Sequence, residues 1–384
     1  MRIESHRPPF AELVLAREYA VKIRAAEAST VLQRELPPEL ACELKDAGLF
    51  RLLLPRRFGG TELPLPQYIR CIEAIAEADG SAGWCVGQGG VFANSADGMD
   101  AELADEIWGK NPGAVVATGT PADCKATERN GAFALHGQWR FASGCMHADW
   151  LAAMADLVHA DGRTYFGMCI VPKTDVELGD GWNVTGLRGT GSREYRADGL
   201  DVPVHRAIPI EVFRSHCGAA TGLPSGLLFA TSFGSVGLGI ARRAIDTLIE
   251  LAQGKVPAFG SRKLLEDSMV QVGLAQAEAQ WGSARSFLLE VAETCAAQHA
   301  DGSGPDGAAR THLRLAATNA MRTSGAVVDK VYELAGSDGI FDDHPLHKCF
   351  QDIHALTQQI QARPAHFRGV GRALLGVDSL ESVG

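Results

Sequence analysis

The chain has 384 residues, of which 46% are hydrophobic and 21% charged, a length and balance that allow two or three packed domains with a large core. Its net charge of −10, without a lysine- or arginine-rich run, argues against a nucleic-acid partner and against binding to an anionic membrane. The pattern of apolar residues shows neither a membrane span nor an export signal, so we expect a cytoplasmic protein.

Residues 1–112 are predicted to form an N-terminal helical domain. The stretch FAELVLAREYAVKIRAAEAS (10–29) repeats apolar residues three to four positions apart, as an amphipathic helix does. The stretch 37–55 opens with prolines at a helix start, and the helix predicted within 64–84 is expected to stop at a glycine. A short helix with acidic residues in its first turn is predicted within 100–109.

Residues 113–212 are predicted to form a small β domain. The stretch GAVVATGTPADCKATERNGAFALHGQWRFASG (113–144) is rich in Val, Thr, Phe and Trp, which favour strands. Within it, Arg129-Asn130-Gly131 is typical of a tight hairpin turn. Short segments separated by turn residues continue to about residue 210.

Residues 213–384 are predicted to be helical again. Helices are expected over 225–253, 263–299, 306–335 and 343–362, with a short one near 365–376. These lengths suit a four-helix bundle. The predicted fold class is therefore mainly α with a central β domain.

The nine cysteines are scattered without a CxxC pair, which favours reduced thiols that pack as small apolar side chains. The segment HPLHKC offers His344, His347 and Cys349 as metal ligands. Pro345 interrupts their spacing and no second ligand pair is evident, so we predict no metal site.

Four stretches, in the same order along the chain, carry a resemblance to a known family. They are EADGSAGWCVGQGG (77–90), GQWRFASGCMHADW (137–150), GLRGTGSREYRADGLDVP (186–203) and QDIHALTQQIQARPAHFRGVGRALLG (351–376). With the helical, β and helical order, they make the chain similar to the acyl-CoA dehydrogenase superfamily. Within it the chain most resembles the oxygenase components of two-component flavin-dependent monooxygenases, which act on phenols, dibenzothiophene and indoles.

The resemblance implies the acyl-CoA dehydrogenase fold: an N-terminal helical domain, a small β-barrel-like domain and a C-terminal four-helix bundle. It implies reduced FAD or FMN as cofactor, supplied by a separate NAD(P)H-dependent flavin reductase, with O2 as co-substrate and a flavin C4a-hydroperoxide as oxidant. A small aromatic substrate and a homotetramer built as a dimer of dimers are implied in the same way. The sequence has no GxGxxG after a strand and no P-loop, which agrees with a protein that does not bind NADH itself.

Individual residues distinguish oxygenase from dehydrogenase chemistry. An acyl-CoA dehydrogenase needs a carboxylate base beside the flavin, and the family places that glutamate at one of two positions. Here one position holds Pro257, in KVPAFG, and the matching C-terminal segment HFRGVGRALLG has no carboxylate. Ordinary acyl-CoA dehydrogenation is therefore not expected.

The stretch WRFASG supplies the predicted contacts to the flavin ring. The resemblance assigns Ser143 as a hydroxyl donor near flavin N5 and C4a, although a serine that merely satisfies a strand bulge remains an alternative. Gly144 would allow close approach of the ring. Trp139, Phe141 and Ser143 are expected to share one strand face, where the two aromatic rings either pack on the flavin or fill the core. The remaining predicted ring contacts are Ala142 and, on the strand from VVATGTP, Ala117, Thr118 and Gly119.

His147, close to this stretch, lacks the neighbours of a catalytic triad or a metal site. We expect it to be a surface histidine or one with satisfied hydrogen bonds.

The flavin phosphates need donors elsewhere. Arg262 and Lys263 have suitable charge, and the resemblance matches Gly336, Ser337 and Gly339, in GSDGIF, to a neighbouring subunit's loop. An ordinary helix-terminating turn is the alternative for GSDG.

The predicted substrate pocket contains Trp84, Gln88, Phe92 and Gln359. The phenol-hydroxylating relatives have histidines at two positions near the substrate, which here hold Phe92 and Gln359. An aromatic ring that needs no deprotonation, such as indole or an indole derivative, therefore fits better than a phenol. His354 should point elsewhere, and His366 lies beyond Pro364.

Other functions stay open from the sequence. The same scaffold could hydroxylate a phenol or oxidise nitrogen or sulfur. It could also be an acyl-CoA dehydrogenase-like enzyme with a displaced base, or a flavin-fold protein that binds without catalysis.

Overall fold

The computed structural model of the protein describes residues 9–379. The N-terminal part is helical, as predicted. Its helices are α1 Ala11–Ala25, α2 Glu27–Gln33, α3 Pro38–Asp46, α4 Leu65–Ala78, α5 Gly80–Asn94 and α6 Ala101–Ala104.

The junction between α4 and α5 differs from the sequence prediction. We expected glycine to stop the helix over 64–84, but Gly80 begins α5. The chain turns at Asp79, whose carboxylate caps α5 by accepting the Ala82 N–H at 2.9 Å. Every residue of α5 is buried, as expected of a helix that is packed on all sides.

The middle of the chain forms one eight-stranded mixed sheet in the order β6-β7-β3-β2-β4-β5-β8, with β1 parallel to β4. The predicted hairpin turn is confirmed: Asn130 and Gly131, both with positive φ, join β2 and β3. The strands are β1 Val116–Thr118, β2 Thr120–Arg129, β3 Ala132–Ala142, β4 Trp150–Val158, β5 Thr164–Pro172, β6 Glu177–Leu178, β7 Arg193–Pro203 and β8 Ala207–Pro209.

The C-terminal part is helical, and α8, α9, α10 and α11 pack together as the predicted bundle. Two boundaries differ: the helix expected from 263 begins after its cap Asp267, and the helix expected over 343–362 ends at Thr357. The helices are α7 Ile210–Ser215, α8 Ser225–Gly254, α9 Ser268–Ala300, α10 Gly307–Ala335, α11 Pro345–Thr357 and α12 Ala365–Leu374.

Helix gives way to strand between Gly109 and Val116 and returns at Ile210; the three-domain division itself stays a prediction. Helix α8 packs against α4 and α5 as well as against the bundle, so one core joins the two helical parts. Within residues 9–379, no helix combines the length and hydropathy needed to cross a membrane.

A buried group of charges, which we call the Lys348 cluster, joins these parts. Its members are Lys348, Asp79, Asp352, Arg243 and Glu27. The Lys348 ammonium lies 3.0 Å from the Asp79 carboxylate and also contacts Asp352. Arg243 contacts Glu27 and donates to the Ala78 carbonyl at 2.9 Å.

Asp352 extends the Lys348 cluster to the β domain, because its carboxylate accepts the Leu187 N–H at 2.6 Å. Burial acts to lower the pKa of Lys348, but the Asp352 and Asp79 carboxylates outweigh it and raise that pKa well above its ordinary value. The ammonium is therefore charged at neutral pH.

Replacing Lys348 by methionine should destabilise the protein strongly, since it leaves Asp79 and Asp352 buried beside each other without a cation. We expect a loss of about 3–5 kcal/mol in the free energy of unfolding, measured by urea denaturation at neutral pH. Lys330→Met, which removes an exposed pair with Glu333, is the matched control and should cost less than about 1 kcal/mol. Equal effects of the two substitutions would contradict the prediction.

Candidate active site

The end of β3 contains a bulge that separates Trp139 from Phe141. The pairing of β3 with β7 shifts between Trp139 and Ala142, and Phe141 has a positive φ of 58°. The expectation that Trp139, Phe141 and Ser143 share one face is therefore wrong, because side chains stop alternating where a bulge adds a residue.

Trp139 fills the core of the β domain. Its ring stacks on Tyr195 with centroids 4.9 Å apart, and its indole N–H donates to the Met154 carbonyl at 2.7 Å. Gly119 lies directly against it, because a Cβ there would come within 2.7 Å of the Trp139 Cβ. Of the two alternatives for Trp139, core packing is the one that the structure shows.

Phe141 is exposed, with 59% of its surface accessible. Its ring meets Trp182 edge-on with centroids 6.0 Å apart, and we call this pair the Phe141 shelf. A large exposed aromatic residue at positive φ is uncommon and costs free energy. The shelf therefore marks a surface suited to cover a flat ligand beside Ser143. Sequence reasoning missed Trp182, because nothing local links it to β3.

Ser143 ends a chain of three hydroxyl groups. Its Oγ lies 2.7 Å from that of Ser192, which lies 2.6 Å from the Thr190 hydroxyl. Thr190 donates to the Leu187 carbonyl at 2.8 Å. Each hydroxyl has one proton, so Ser192 must donate to Thr190 and Ser143 to Ser192.

In this direction the chain favours Ser143 as an acceptor toward a ligand, and its predicted role as a donor stays a prediction. Its only proton is used by Ser192, so its oxygen is available to a ligand as an acceptor. It can act as the predicted donor if its proton turns from Ser192 toward the ligand. Ser143 is also mostly buried, and the Gln88 amide donates to its carbonyl at 3.2 Å.

His147 lies beneath Gly144. Gly144 has a φ of 79°, and a Cβ there would lie 3.0 Å from His147 Nε2. The glycine thus makes room for this imidazole, while its predicted contact with the flavin ring stays untested. His147 Nε2 is enclosed and unpaired among the described residues, so the expectation of a surface or satisfied histidine is wrong.

Burial lowers the pKa of His147 to about 3, and the charges of Lys45 and Lys173 act in the same direction. The imidazole is therefore neutral at physiological pH. It packs at a tilt on Phe50, with ring centroids 5.3 Å apart.

Three predicted pocket residues, Trp84, Gln88 and Phe92, lie four positions apart along one face of α5. Trp84 stacks on Phe233 with centroids 3.8 Å apart. The Phe92 ring packs against Phe229, with centroids 5.9 Å apart, and against Phe213, with centroids 5.2 Å apart.

We call Trp84, Phe92, Phe229 and Phe233 the aromatic wall. Phe229 and Phe233 lie one turn apart on α8, a spacing that could have identified them from the sequence. The Gln88 amide joins this wall to Ser143.

Gln359, the fourth predicted pocket residue, lies between α11 and the 3₁₀ turn that follows it. Its side chain accepts the Gln361 N–H at 2.6 Å and caps the 3₁₀ turn Ile360–Ala362, which packs against α8 and α10. His354 pairs with Asp329 at 2.8 Å, and the His366 ring donates to the Ile360 carbonyl at 2.9 Å.

The remaining predicted ring contacts lie within or beside the sheet. Ala117 and Ala142 are fully buried. Thr118 is partly exposed and donates to the Ala152 carbonyl at 2.9 Å. Their contact with a flavin stays a prediction.

The predicted phosphate-binding segments meet at one end of the bundle. Lys255 Nζ donates to the Ala335 carbonyl at 2.6 Å and pairs with Asp338 at 3.1 Å, which joins the end of α8 to the end of α10. Gly336, with a φ of 65°, ends α10, so the helix-terminating turn is present. The exposed residues of these segments are Arg262, Lys263, Gly336 and Ser337, whereas Gly339 is buried.

Comparison with known families and proteins shows which proteins this chain is similar to. Residues 14–97 match the N-terminal domain, and residues 231–364 the C-terminal domain, of acyl-CoA dehydrogenase. The chain is 32% identical to indole-3-acetate monooxygenase of Pseudomonas putida, covering 91% of this chain and 89% of the relative. It is 27% identical to the flavin-dependent monooxygenase oxygenase subunit HsaA of Mycobacterium tuberculosis, over 87% of each chain.

Solved structures show the same fold. HsaA from M. tuberculosis superposes with a TM-score of 0.87 at 25% identity, covering 96% of this chain and 97% of that one. XiaF from Streptomyces, in complex with FADH2 and glycerol, gives 0.88 at 22% identity over 96% of each chain. TdsC from Paenibacillus, with FMN and indole, gives 0.82 at 20% identity, covering 96% of this chain and 97% of that one.

Replacing His147 by phenylalanine should reduce the acid sensitivity of the fold. With a folded pKa of about 3 and an unfolded value near 6.5, the unfolded state takes up the proton first as the pH falls. The wild type should therefore lose about 2 kcal/mol more stability than His147→Phe between about pH 7 and pH 5.

Urea denaturation at both pH values measures this difference. His312→Phe, which changes an exposed histidine, serves as the control and should keep the wild-type dependence. An unchanged pH dependence in His147→Phe would show that His147 is not held neutral.

Proposed function

This chain belongs to the acyl-CoA dehydrogenase superfamily, as an oxygenase component of the two-component flavin-dependent monooxygenases, and on that premise we propose that it oxidises an electron-rich, non-phenolic aromatic compound such as indole or an indole derivative. Such an oxygenase component uses O2 and flavin reduced by a separate reductase. The substrate assignment and the site residues below are the proposal.

The observation that carries the proposal is the aromatic wall beside Ser143. Phe92 packs against Phe229 at one of the positions where phenol-hydroxylating relatives are expected to have histidine. Trp84 and Gln88, on the same face of α5, have no titratable group either. A phenol gains reactivity by deprotonation, whereas an indole ring is already electron-rich and needs only to be held.

The comparisons support this choice. The relative from P. putida is named for indole-3-acetate, and TdsC has been solved with indole. Acyl-CoA dehydrogenation is disfavoured because Pro257, at one of the two possible base positions, lies in the exposed loop after α8, and no carboxylate occupies the other.

The residues fit a reduced flavin. The Phe141 shelf offers an exposed flat surface, and the Ser143 oxygen beside it is free to accept an N–H. When bound, the flavin supplies the oxygen-activating chemistry. We propose that Phe141 supports its ring, that Ser143 accepts an N–H from it, and that Gln88 fixes the Ser143 backbone.

The aromatic wall has a second role, because its buried rings exclude water from the reaction. Thr118 is the partly exposed ring contact on β1. For the phosphates we propose Arg262, Lys263, Gly336, Ser337 and Gly339. XiaF was solved with FADH2 and TdsC with FMN, and we propose either flavin for this chain.

A homotetramer is part of the proposal. Large apolar side chains are exposed around the predicted phosphate-binding segments, and exposed apolar surface of this kind marks contact sites. These residues are Phe259, Leu265, Met269, Ile340 and Phe341. The cytoplasmic location stays a prediction from the sequence.

Turnover of indole tests the proposed function directly. Purified protein, a generic flavin reductase, FAD and NADH should consume indole and give a blue pigment, whereas the reductase alone should not. Indole loss is measured by chromatography, and hydrogen peroxide is assayed in the same reactions, which contain no catalase. Intact indole, with NADH consumed and its electrons recovered as hydrogen peroxide, would overturn the substrate assignment.

Ser143→Ala should uncouple the reaction, because it removes the oxygen that accepts the flavin N–H. We expect product formed per NADH to fall about 10-fold or more, with a matching rise in hydrogen peroxide. The affinity for reduced flavin should change little, since the Phe141 shelf remains. Ser283→Ala, on the exposed face of α9, is the control, and full coupling in Ser143→Ala would exclude the assigned role.

A further inference from the structure

Arg314, on α10, is a buried cation without a carboxylate partner. Only 4% of its surface is exposed. Its guanidinium donates to the neutral Gln361 side chain at 2.5 Å, while its Nε is enclosed and unpaired among residues 9–379. The buried Arg242 and Arg243 on α8 differ, because each contacts a carboxylate.

Burial without an anion is unfavourable for a guanidinium. Burial alone lowers the pKa of Arg314 to about 10, so the group is still charged at neutral pH. The structure therefore contains a desolvated positive charge whose usual partner, a carboxylate, is not supplied by the described residues.

Arg314 lies at one end of the aromatic wall. A Cβ on Gly226 would lie 3.6 Å from its guanidinium. Gly226, Phe229 and Phe233 are spaced three and four residues apart, so they share one face of α8. The guanidinium lies near Gly226, so along this face of α8 it is closer to Phe229 than to Phe233.

Two glutamines lie near this end, and one of them, Gln359, is a predicted pocket residue. Gln361, which contacts Arg314, hydrogen-bonds through its backbone to Gln359. Gly226 presents no side chain toward the guanidinium, so no side-chain group of α8 pairs with it at that position.

We infer that Arg314 binds a carboxylate on the aromatic substrate and thereby determines specificity. This inference rests on the proposed function, in that the ring of the same substrate lies along the aromatic wall. A guanidinium matches a carboxylate with two parallel hydrogen bonds. The substrate class is therefore an aromatic acid, in which a short side chain joins the ring to the carboxylate.

A neutral analogue such as indole would bind more weakly than the acid, because it leaves Arg314 desolvated and unpaired. Sites built around a buried polar partner discriminate strongly against ligands that lack it. The anion would also fix which edge of the ring faces Ser143, so it would position the substrate as well as select it.

Ligand binding tests the inference separately from turnover. Indole-3-acetate and its neutral amide are titrated calorimetrically into the full-length protein with reduced FAD, without oxygen. We expect the wild type to bind the acid at least about 30-fold more tightly. Arg314→Met should lower acid affinity about 100-fold and amide affinity less than about 3-fold, with partial recovery in Arg314→Lys.

Two further variants sharpen the test. Arg322→Met changes an exposed arginine on the same helix and should keep the preference for the acid. Gln361→Glu places a carboxylate beside Arg314 and keeps the arginine. The new carboxylate should pair with the guanidinium and so abolish the preference for the acid. This second variant decides the question if Arg314→Met fails to fold.

The outcomes separate the two proposals. No preference in the wild type, equal loss of both ligands in Arg314→Met, or loss of reduced-flavin affinity would overturn the role of Arg314. A preference for the acid without oxidation of any indole would keep Arg314 as an anion site and overturn the proposed function. Oxidation of indole without a preference for the acid would keep the proposed function and overturn the role of Arg314.

Discussion

The buried ammonium of Lys348 is the interaction on which the arrangement of the site depends. It holds Asp79, at the start of α5, next to Asp352 on α11. Asp352 also accepts the N–H of Leu187, whose carbonyl receives the first proton of the hydroxyl chain that ends at Ser143. One cation therefore fixes both the helix that presents the aromatic wall and the loop that orients the hydroxyl chain. Because all of these groups are buried, a change in any of them leaves an unpaired polar group rather than a hydrated one.

The buried cations of this protein are of two kinds, which differ in the group that pairs with the charge. Lys348 and Arg243 are paired by carboxylates of the chain itself, so their charges stabilise the fold without a ligand. Arg314 has only a neutral amide as partner, and its burial becomes favourable when an anion arrives from outside. Burying a cation costs free energy in both places. In the first the partner carboxylate belongs to the fold, and in the second it would belong to a ligand. The distinction depends on the identity of the partner, since all three side chains are largely buried.

Sequence reasoning predicted the features that depend on local patterns. Helix periodicity located the bundle, and Asn130-Gly131 located the hairpin. The family resemblance singled out Trp84, Gln88 and Phe92, which the structure brings together on one face of α5. What sequence reasoning missed depends on partners distant in the chain. The β3 bulge that exposes Phe141 is set by pairing with β7, and His147 packs against Phe50, which is distant in the chain. The direction of the hydroxyl chain follows from Leu187, a residue that no local motif connects to Ser143.

Phe92 and Arg314 together suggest how this chain would replace the acid–base chemistry expected of a phenol hydroxylase. A histidine next to a phenol raises the electron density of the ring, and it also fixes the ring through a hydrogen bond. Here an electron-rich ring removes the need for the first effect, but the second must still be supplied, because stacking against the aromatic wall leaves the ring free to turn in its plane. A carboxylate anchored by Arg314 at the end of that wall would prevent the rotation. Activation would then come from the substrate and orientation from a charge at the opposite end of the molecule, so the two functions that one histidine combines would be divided between ligand and protein.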